Sequence, residues 1–183
     1  TDTKLVDAGI YLASAAGERW EFSGAVNGKD GELSGLEINL IAALGELSPA
    51  LDGFGVSGNI TMLDSEFTGL NGETYGLPGT SDLIYNASAY FEKFGLSARV
   101  NYQYRDQWIS PIESPDEIWG EQERVDLSLQ YQLPMDLNGA TVTIYANGNN
   151  LTDETDVRYA GNRTINQSES YGEHYTLGFR VNY

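Results

Sequence analysis

The sequence predicts an all-β fold of antiparallel strands that are long enough to cross a lipid bilayer. Three observations predict it. Apolar and polar residues alternate with a period of two, the alternating segments run to roughly 9–13 residues, and short turns alternate with long polar loops. Strands in soluble sheets are usually about 5–6 residues long. A transmembrane β-barrel combines all three features.

The alternation is clearest in residues 96–105. Leu96, Ala98, Val100, Tyr102 and Tyr104 share one face of a strand, and polar residues occupy the other face. A helix would scatter these side chains around its axis, whereas a strand separates them. The pattern predicts about eight strands, and the other seven include residues 20–26, 36–42, 54–62, 83–91, 125–133, 140–146 and 171–183.

The predicted connections also alternate in length. Short turns are expected at residues 93–95 and 134–138, with a somewhat longer one at 45–53. Long polar loops are expected at residues 68–81, 109–120 and 153–170. Outer-membrane barrels have short periplasmic turns and long extracellular loops. If Tyr183 lies on the periplasmic side, counting strands back from it places every long loop outside.

Bulk hydropathy does not identify such a fold. The mean hydropathy is −0.36 and the hydrophobic fraction is 40%, as in soluble globular proteins, but alternating strands average to such values. No run of 18 or more apolar residues is present, which excludes a transmembrane helix. The alternative fold is a soluble β-sandwich with one wet face. It explains the alternation, but it explains less well the consistently polar second face over such long strands.

Charge and composition exclude several classes of function. The formal net charge is −17, so no basic stripe is available for nucleic acid. The chain has no Cys and therefore neither a disulfide framework nor a thiolate metal site. Residues 1–4 do not begin a signal peptide. We therefore expect a mature chain or one that starts within a larger protein.

Four motifs, in order along the chain, resemble those of TonB-dependent receptors, the plugged active transporters of the bacterial outer membrane. They cover nearly all of the chain after Glu18. Residues 26–28 with 35–37 resemble the family's "VNG…GxE" hairpin, and residues 85–93 with 95–102 resemble its "YNxSxYYEKxGFSARVSYNYR" hairpin. Residues 149–154 resemble "NLTDE", and residues 175–183 resemble the terminal "YxLGFRxxF/Y".

The resemblance implies that residues 20–183 form the C-terminal segment of a barrel of roughly 22 strands, and that residues 1–19 are a loop or the end of a preceding strand. It implies energised uptake of a scarce nutrient of carbohydrate or iron-siderophore type. The implied partners are the remaining barrel, the plug, the TonB complex, the barrel-assembly machinery and outer-membrane lipid. The chain departs from the family in lacking the plug and the TonB box, so we expect either a fragment or a split receptor.

The resemblance also assigns the end of the chain a role. A final strand with aromatic residues at its end is the family's signal to the barrel-assembly machinery, and Phe179 and Tyr183 stand at those positions. The expected location is the outer membrane of a Gram-negative bacterium. The alternative function is a stand-alone small barrel with a structural or adhesive role, because eight-stranded barrels of this kind exist.

Aromatic and charged residues near the predicted outer strand ends are the candidates for ligand binding. Three aromatic residues have two possible roles: they form part of the aromatic girdle at the membrane interface, or they stack on a bound ligand. They are Trp108, Trp119 and Tyr159. Arg105 and Arg163 supply hydrogen-bond donors, and Glu121 supplies a carboxylate that accepts sugar hydroxyl hydrogen bonds. The acidic balance disfavours a strongly anionic siderophore and is compatible with sugars.

The residues for catalysis or metal binding are sparse. His174 is the only His, and we interpret it as an ordinary polar residue of the final strand. The acidic groups at 153–156 and 113–123 lack the spacing of a calcium loop, so solvated loops are favoured. We therefore expect no enzyme activity, no cofactor and no metal, and an outer-membrane enzyme is the least favoured hypothesis.

Overall fold

The computed structural model describes residues 29–69, 72–110, 117–135 and 139–183. These residues form an all-β, antiparallel structure. None of the helical turns in these ranges has the length and apolarity needed to cross a membrane. The strands are β1 (Asp30–Ala43), β2 (Phe54–Thr68), β3 (Thr74–Tyr75), β4 (Leu83–Lys93), β5 (Leu96–Arg105), β6 (Trp108–Ile109), β7 (Ile118–Trp119), β8 (Gln122–Gln132), β9 (Thr141–Asn149), β10 (Thr155–Tyr159), β11 (Ile165–Ser170) and β12 (His174–Asn182).

The long strands form one antiparallel sheet in the order β1-β2-β4-β5-β8-β9-β12, with β3 paired beside β2. We call it the main sheet. Six of the eight predicted strands are confirmed as β1, β2, β4, β5, β8 and β9. The predicted strand at residues 20–26 lies outside the described residues. β1 and β2 have 14 and 15 residues, which is longer than the sequence predicts because pairing continues beyond the clean alternation.

The register of the main sheet separates an apolar face from a polar face. Directly paired residues of neighbouring strands point to the same side. One apolar row therefore crosses all seven strands, through Ala42, Val56, Ala89, Val100, Leu127, Gly148 and Tyr175. The next row lies on the opposite face and runs through Ile41, Ser57, Ser88, Asn101 and Asp126. The alternation predicted from sequence is confirmed across the sheet.

Side-chain hydrogen bonds join neighbouring strands across the polar face. Ser88 donates to Asn101 at 2.6 Å, and Ser128 donates to Asn147 at 2.8 Å. Asn86 donates to Asn59 at 2.9 Å, one strand further toward β1. Each bond satisfies a polar group that would otherwise need water, and pairs of this kind stabilise a chosen register.

None of the described residues forms a second layer over the apolar face. Leu177, Leu40 and Ile38 are 78%, 61% and 50% exposed. Ala140 is the one buried hydrophobic residue in the described ranges. A soluble sandwich would bury this face against another sheet, so the described residues do not form the sandwich considered above.

The short turns and the long loops lie at opposite ends of the main sheet. The turn between β4 and β5 is confirmed as Phe94 and Gly95, with φ of 57° and 78°. Positive φ at both central residues is what a two-residue type I′ hairpin requires. Two short 3-10 turns, at Leu44–Glu46 and Pro49–Leu51, connect β1 to β2. The predicted turn at 134–138 lies partly outside the described residues.

Over residues 29–69, 72–110, 117–135 and 139–183 the main sheet is open, because β1 and β12 lie at its two edges and do not pair. The predicted final strand at 171–183 is confirmed only as His174–Asn182. The prediction was wrong for Tyr171, which lies before the strand, because pairing with β9 begins at His174 opposite Asn149.

The long loops contain strands that the sequence analysis did not predict. β6 and β7 come from the loop at residues 109–120 and its approach, while β10 and β11 come from the loop at 153–170. They form a second sheet in the order β11-β10-β7-β6, which we call the loop sheet. The third loop joins it through a bridge between Ser81 and Trp108.

Candidate functional site

The loop sheet has two distinct faces, and its register defines them. Trp108, Trp119 and Arg158 are cross-strand partners in one row. The adjacent row, through Ile109, Ile118, Tyr159 and Ile165, lies on the opposite face. The predicted ligand-binding residues are therefore divided between the two sides of one sheet.

Arg105, Trp108, Trp119 and Arg158 form a layered cluster on the first face, which we call the Arg–Trp cluster. The two indole rings lie 6.0 Å apart and are inclined by 14°. The Arg105 guanidinium lies 3.7 Å from the Trp108 ring, and that of Arg158 lies 5.6 Å from the Trp119 ring. Cations over aromatic faces gain about 0.5–2 kcal/mol each, so the cluster holds its aromatic surfaces in fixed positions.

The polar face of the main sheet supports the Arg–Trp cluster. Arg105, at the end of β5, donates from Nε to Ser81 Oγ at 2.9 Å and from Nη2 to the Gly79 carbonyl at 2.8 Å. Arg105 pairs with Ile84 on the same face as Glu37 and Thr61. The cluster therefore lies on the polar-face side of the main sheet.

Two acid–base pairs hold the loop sheet, one to β8 of the main sheet and one between β10 and the residue before β7. Arg124 of β8 donates to Asp156 Oδ1 at 2.5 Å, and Asp156 is 8% exposed. Arg158 Nε lies 3.3 Å from Glu117 Oε2. The prediction of solvated acidic loops was wrong for Asp156 and Glu117, because each carboxylate lies against an arginine. Glu113 and Asp116, from the same predicted group, lie outside the described residues.

The turn at residues 150–154 fixes the base of the β10–β11 hairpin. Asn150 has φ of 53°, a left-handed conformation that Asn tolerates. Its amide Oδ1 accepts from the Glu154 backbone at 3.0 Å, and its Nδ2 donates to the Gly172 carbonyl at 3.1 Å. The Asn150 backbone N–H donates to Asp126 on β8 at 2.9 Å. This motif thus ties the hairpin to the main sheet.

Burial shifts one carboxyl group in the same turn. The pKa of Glu154 is raised, first because it is partly buried and then because Asp156 and Glu123 lie near, while Arg124 opposes the rise. Outside the main sheet, a hydrogen bond to Glu169 raises the pKa of the Tyr171 hydroxyl. Within the described ranges, no group of three or more His, Asp or Glu side chains is arranged to hold a metal ion.

A hollow of about 550 Å³ lies against the second face of the loop sheet. Predicted residues Glu121, Tyr159 and Arg163 line it, while Arg105, Trp108 and Trp119 do not. The sequence analysis missed its remaining lining residues, which are Gln107, Ile118, Gly120, Ala160 and Gly161. They are small, apolar or neutral, and only the pairing of β7 with β10 brings them together.

The remaining predicted residues lie elsewhere. Phe179 is on the apolar face of β12, opposite Ile144 of β9, and Tyr183 follows the strand and is fully exposed. His174 is exposed on β12 near the Thr176 hydroxyl. The assigned roles of these residues stay predictions. Comparisons of the chain with family models, curated proteins and solved structures find no match.

Proposed function

We propose that this chain is part of the wall of an outer-membrane β-barrel, with its apolar face toward lipid and its polar face toward the lumen. The observation that carries the proposal is the apolar face of the main sheet. It is continuous over seven strands and exposed. Exposed apolar patches on soluble monomers rarely exceed a few hundred Å², so a face of this extent needs an apolar environment.

The dimensions and the aromatic residues support this environment. β4 has 11 residues and is therefore about 37 Å long. At a tilt of about 45° it rises about 26 Å, close to the height of a barrel's apolar band. Phe54 and Phe91 pack near the turn end, and Tyr85 stacks on Tyr104 near the loop end. Aromatic residues at both margins are typical of membrane interfaces.

Strand direction limits how such a barrel closes. β1 and β12 both run from the loop end to the turn end, so direct pairing between them would be parallel. An all-antiparallel barrel therefore needs an odd number of further strands between these edges. One further strand would give eight, and fifteen would give 22. Both values are found among outer-membrane barrels.

We propose that the complete protein is a TonB-dependent receptor that takes up a scarce nutrient of carbohydrate or iron-siderophore type. The support is the series of motifs together with the Arg–Trp cluster. The cluster presents indole and guanidinium surfaces on the lumen side, where a sugar ring stacks and hydroxyl or carboxylate groups accept hydrogen bonds. In this proposal the plug and the TonB complex provide energy coupling, the barrel-assembly machinery inserts the wall, and no step is enzymatic.

The alternative is an independent eight-stranded barrel with a structural or adhesive role, which the strand parity favours equally. Purification of the chain alone in detergent separates the two. A folded monomer whose electrophoretic mobility changes on heating would support the small barrel. A chain that folds only when further barrel strands are co-expressed would support the receptor segment.

Transport itself is tested with the full-length protein in a Gram-negative host. The probes are a radiolabelled maltodextrin series and a ferric hydroxamate. We expect uptake of one probe. This uptake should stop on addition of a protonophore and should fall in the Trp119→Ala variant. Thr164→Ala, on the exposed β10–β11 hairpin, is the control. Energy-independent uptake, or no outer-membrane insertion, would contradict the proposal.

A further inference from the structure

The hollow against the second face of the loop sheet lies on the apolar-face side of the main sheet. Glu121, in its lining, accepts a hydrogen bond from the Tyr104 hydroxyl at 3.3 Å, and Tyr104 belongs to the apolar face through its pairing with Tyr85. The Arg–Trp cluster lies on the polar-face side. In the proposed orientation the hollow therefore opens outside the barrel wall and not into the lumen.

The same contact fixes the level of the hollow along the wall. The Tyr85 ring lies 5.8 Å from that of Tyr102 and 4.9 Å from that of Tyr104, at the loop end of the apolar face. The loop end is the extracellular end in the proposed orientation, and tyrosines at this margin lie level with the lipid headgroups. The outward leaflet of a Gram-negative outer membrane consists of phosphorylated glycolipids. The hollow, immediately beyond the tyrosines, therefore faces saccharide and phosphate groups.

The lining of the hollow has the side chains that bind a sugar and a phosphate. Ile118 and the Tyr159 ring supply an apolar surface against which a sugar ring packs. Gln107 and Glu121 supply an amide and a carboxylate for its hydroxyl groups. Arg163 supplies a guanidinium, which binds phosphate oxygens. Apolar surface with a few polar groups around it is typical of ligand sites.

Arg163 borders the hollow from a backbone conformation that arginine rarely adopts. Its φ is 61°, in the left-handed region that Gly, Asn and Asp tolerate best. Its N–H donates to the Ala160 carbonyl at 2.7 Å in the β10–β11 turn, a bond that Asn could also make. The turn therefore does not require arginine here. An unfavourable conformation kept at a charged residue beside a hollow indicates a function for its side chain.

We infer that this hollow binds the phosphorylated saccharide headgroup of a glycolipid in the outward leaflet, and this inference rests on the proposed membrane orientation. Arg163 contacts the phosphate, while Gln107 and Glu121 contact sugar hydroxyls. The net charge of −17 does not prevent binding, because charges more than about 8 Å apart are largely screened at physiological ionic strength. A soluble sugar phosphate has the same polar groups, but the level of the hollow favours a ligand anchored in the membrane.

Native mass spectrometry of the full-length protein in detergent tests the inference. Four probes are titrated separately: diphosphorylated lipid A, fully dephosphorylated lipid A, phosphatidylglycerol and glucosamine phosphate. We expect lipid A to bind most tightly. Removal of its phosphates should weaken binding about fivefold, near the upper value for one exposed ion pair. Phosphatidylglycerol lacks the sugar and glucosamine phosphate lacks the acyl chains, so both should bind more weakly than lipid A.

The Arg163→Asn variant assigns the phosphate contact. It should weaken lipid A binding about fivefold and change the affinity for dephosphorylated lipid A by less than about twofold, since only the first ligand has a partner for the guanidinium. The thermal stability of the protein should not fall, because Asn tolerates the left-handed conformation. Arg180→Gln, on the polar face of β12 at the turn end, removes a charge far from the hollow and should leave all four affinities unchanged.

Several results would overturn the inference. Equal binding of lipid A and its dephosphorylated form, or unchanged lipid A binding in Arg163→Asn, would remove the phosphate contact. Phosphatidylglycerol as tight as lipid A would remove the sugar contact, and glucosamine phosphate as tight as lipid A would mean a soluble ligand. An equal loss in Arg180→Gln would mean non-specific attraction. If these failures occur while the protein still inserts into vesicles and shows a heat-modifiable electrophoretic form, the proposed barrel stands; loss of both properties would refute the barrel itself.

Discussion

Replacement of Asp156 by Asn would loosen the loop sheet without unfolding the main sheet. Asp156 is 8% exposed and accepts a 2.5 Å hydrogen bond from Arg124, whose side chain is 31% exposed. Asn keeps the shape but removes the charge, which leaves the Arg124 guanidinium against a neutral amide. β10, which carries Asp156, would then be attached to β8 and β7 by fewer strong contacts.

The magnitude follows from burial. Breaking a fully buried ion pair costs about 3–5 kcal/mol, whereas exposed pairs contribute about 0–1 kcal/mol. One partner here is buried and the other is about one third exposed, so we expect a loss of about 2 kcal/mol in the free energy of local opening. That loss corresponds to an opening constant about 30-fold larger.

Amide hydrogen exchange measures this loss residue by residue. The expected result is about 30-fold faster exchange of the Gly120 amide, which donates a backbone hydrogen bond to the Val157 carbonyl of β10 from the segment after β7. Amides of the β4–β5 hairpin should not change. Asp153→Asn, at an exposed position of the same loop with φ of 50°, is the control, because Asn also tolerates this conformation.

Two results would refute the reasoning. Exchange of the Gly120 amide that is unchanged in Asp156→Asn would mean that the ion pair does not hold the loop sheet. An equal effect in Asp153→Asn would mean that loop charge, and not the buried pair, is responsible. The double variant with Arg124→Gln should lose less than the sum of the two single losses, because both substitutions remove the same interaction.

Two further substitutions, with Gly31→Ala as a control, test the close contacts and the burial described above. Gly55→Ala places a Cβ 2.1 Å from the Tyr90 ring, so the ring must move, and chemical denaturation should show a loss of about 1–3 kcal/mol. Gly31→Ala, with its nearest contacts at 3.8 Å, should change stability by less than about 0.5 kcal/mol. Glu154→Gln should stabilise the protein near about pH 7, because burial raises the pKa of Glu154 in the folded state. The gain should shrink as the pH falls through the raised pKa of Glu154. It should be gone below the pKa of the unfolded state, where Glu154 is neutral in both the folded and the unfolded protein. No change in Gly55→Ala or in Glu154→Gln, or a gain for Glu154→Gln that persists at about pH 4, would contradict these assignments.

The main sheet was predictable because its signal is local. In residues 96–104 each side chain alternates with the next, and the pairing of β5 with β4 and β8 places every apolar member on one face. A two-residue shift in register would keep every side chain on the same face, so the local alternation alone decides which face each residue takes. The Phe94–Gly95 turn was predictable for the same reason, since residues 93–95 interrupt the alternation between two strand segments.

The candidate site was only partly predictable because its contacts are not local. β6 and β7 have two residues each, too few for any period to be visible. Asp156 reads as one member of an acidic loop, and its burial depends on Arg124, which is 32 residues away. The division of the six predicted ligand-binding residues between two faces follows from the pairing of Trp119 with Arg158 and of Ile118 with Tyr159, and no sequence pattern indicates that pairing.

Spin-label accessibility along β4, in the full-length protein reconstituted into lipid vesicles, tests the membrane orientation most directly. Ala87 and Ala89 lie on the apolar face and Ser88 on the polar face. Labels at Ala87 and Ala89 should be relaxed mainly by lipid-dissolved oxygen, and a label at Ser88 mainly by a water-soluble nickel complex. Labels at all three sites that respond alike, or alanine sites that neither reagent reaches, would mean that protein or water, and not lipid, covers the apolar face.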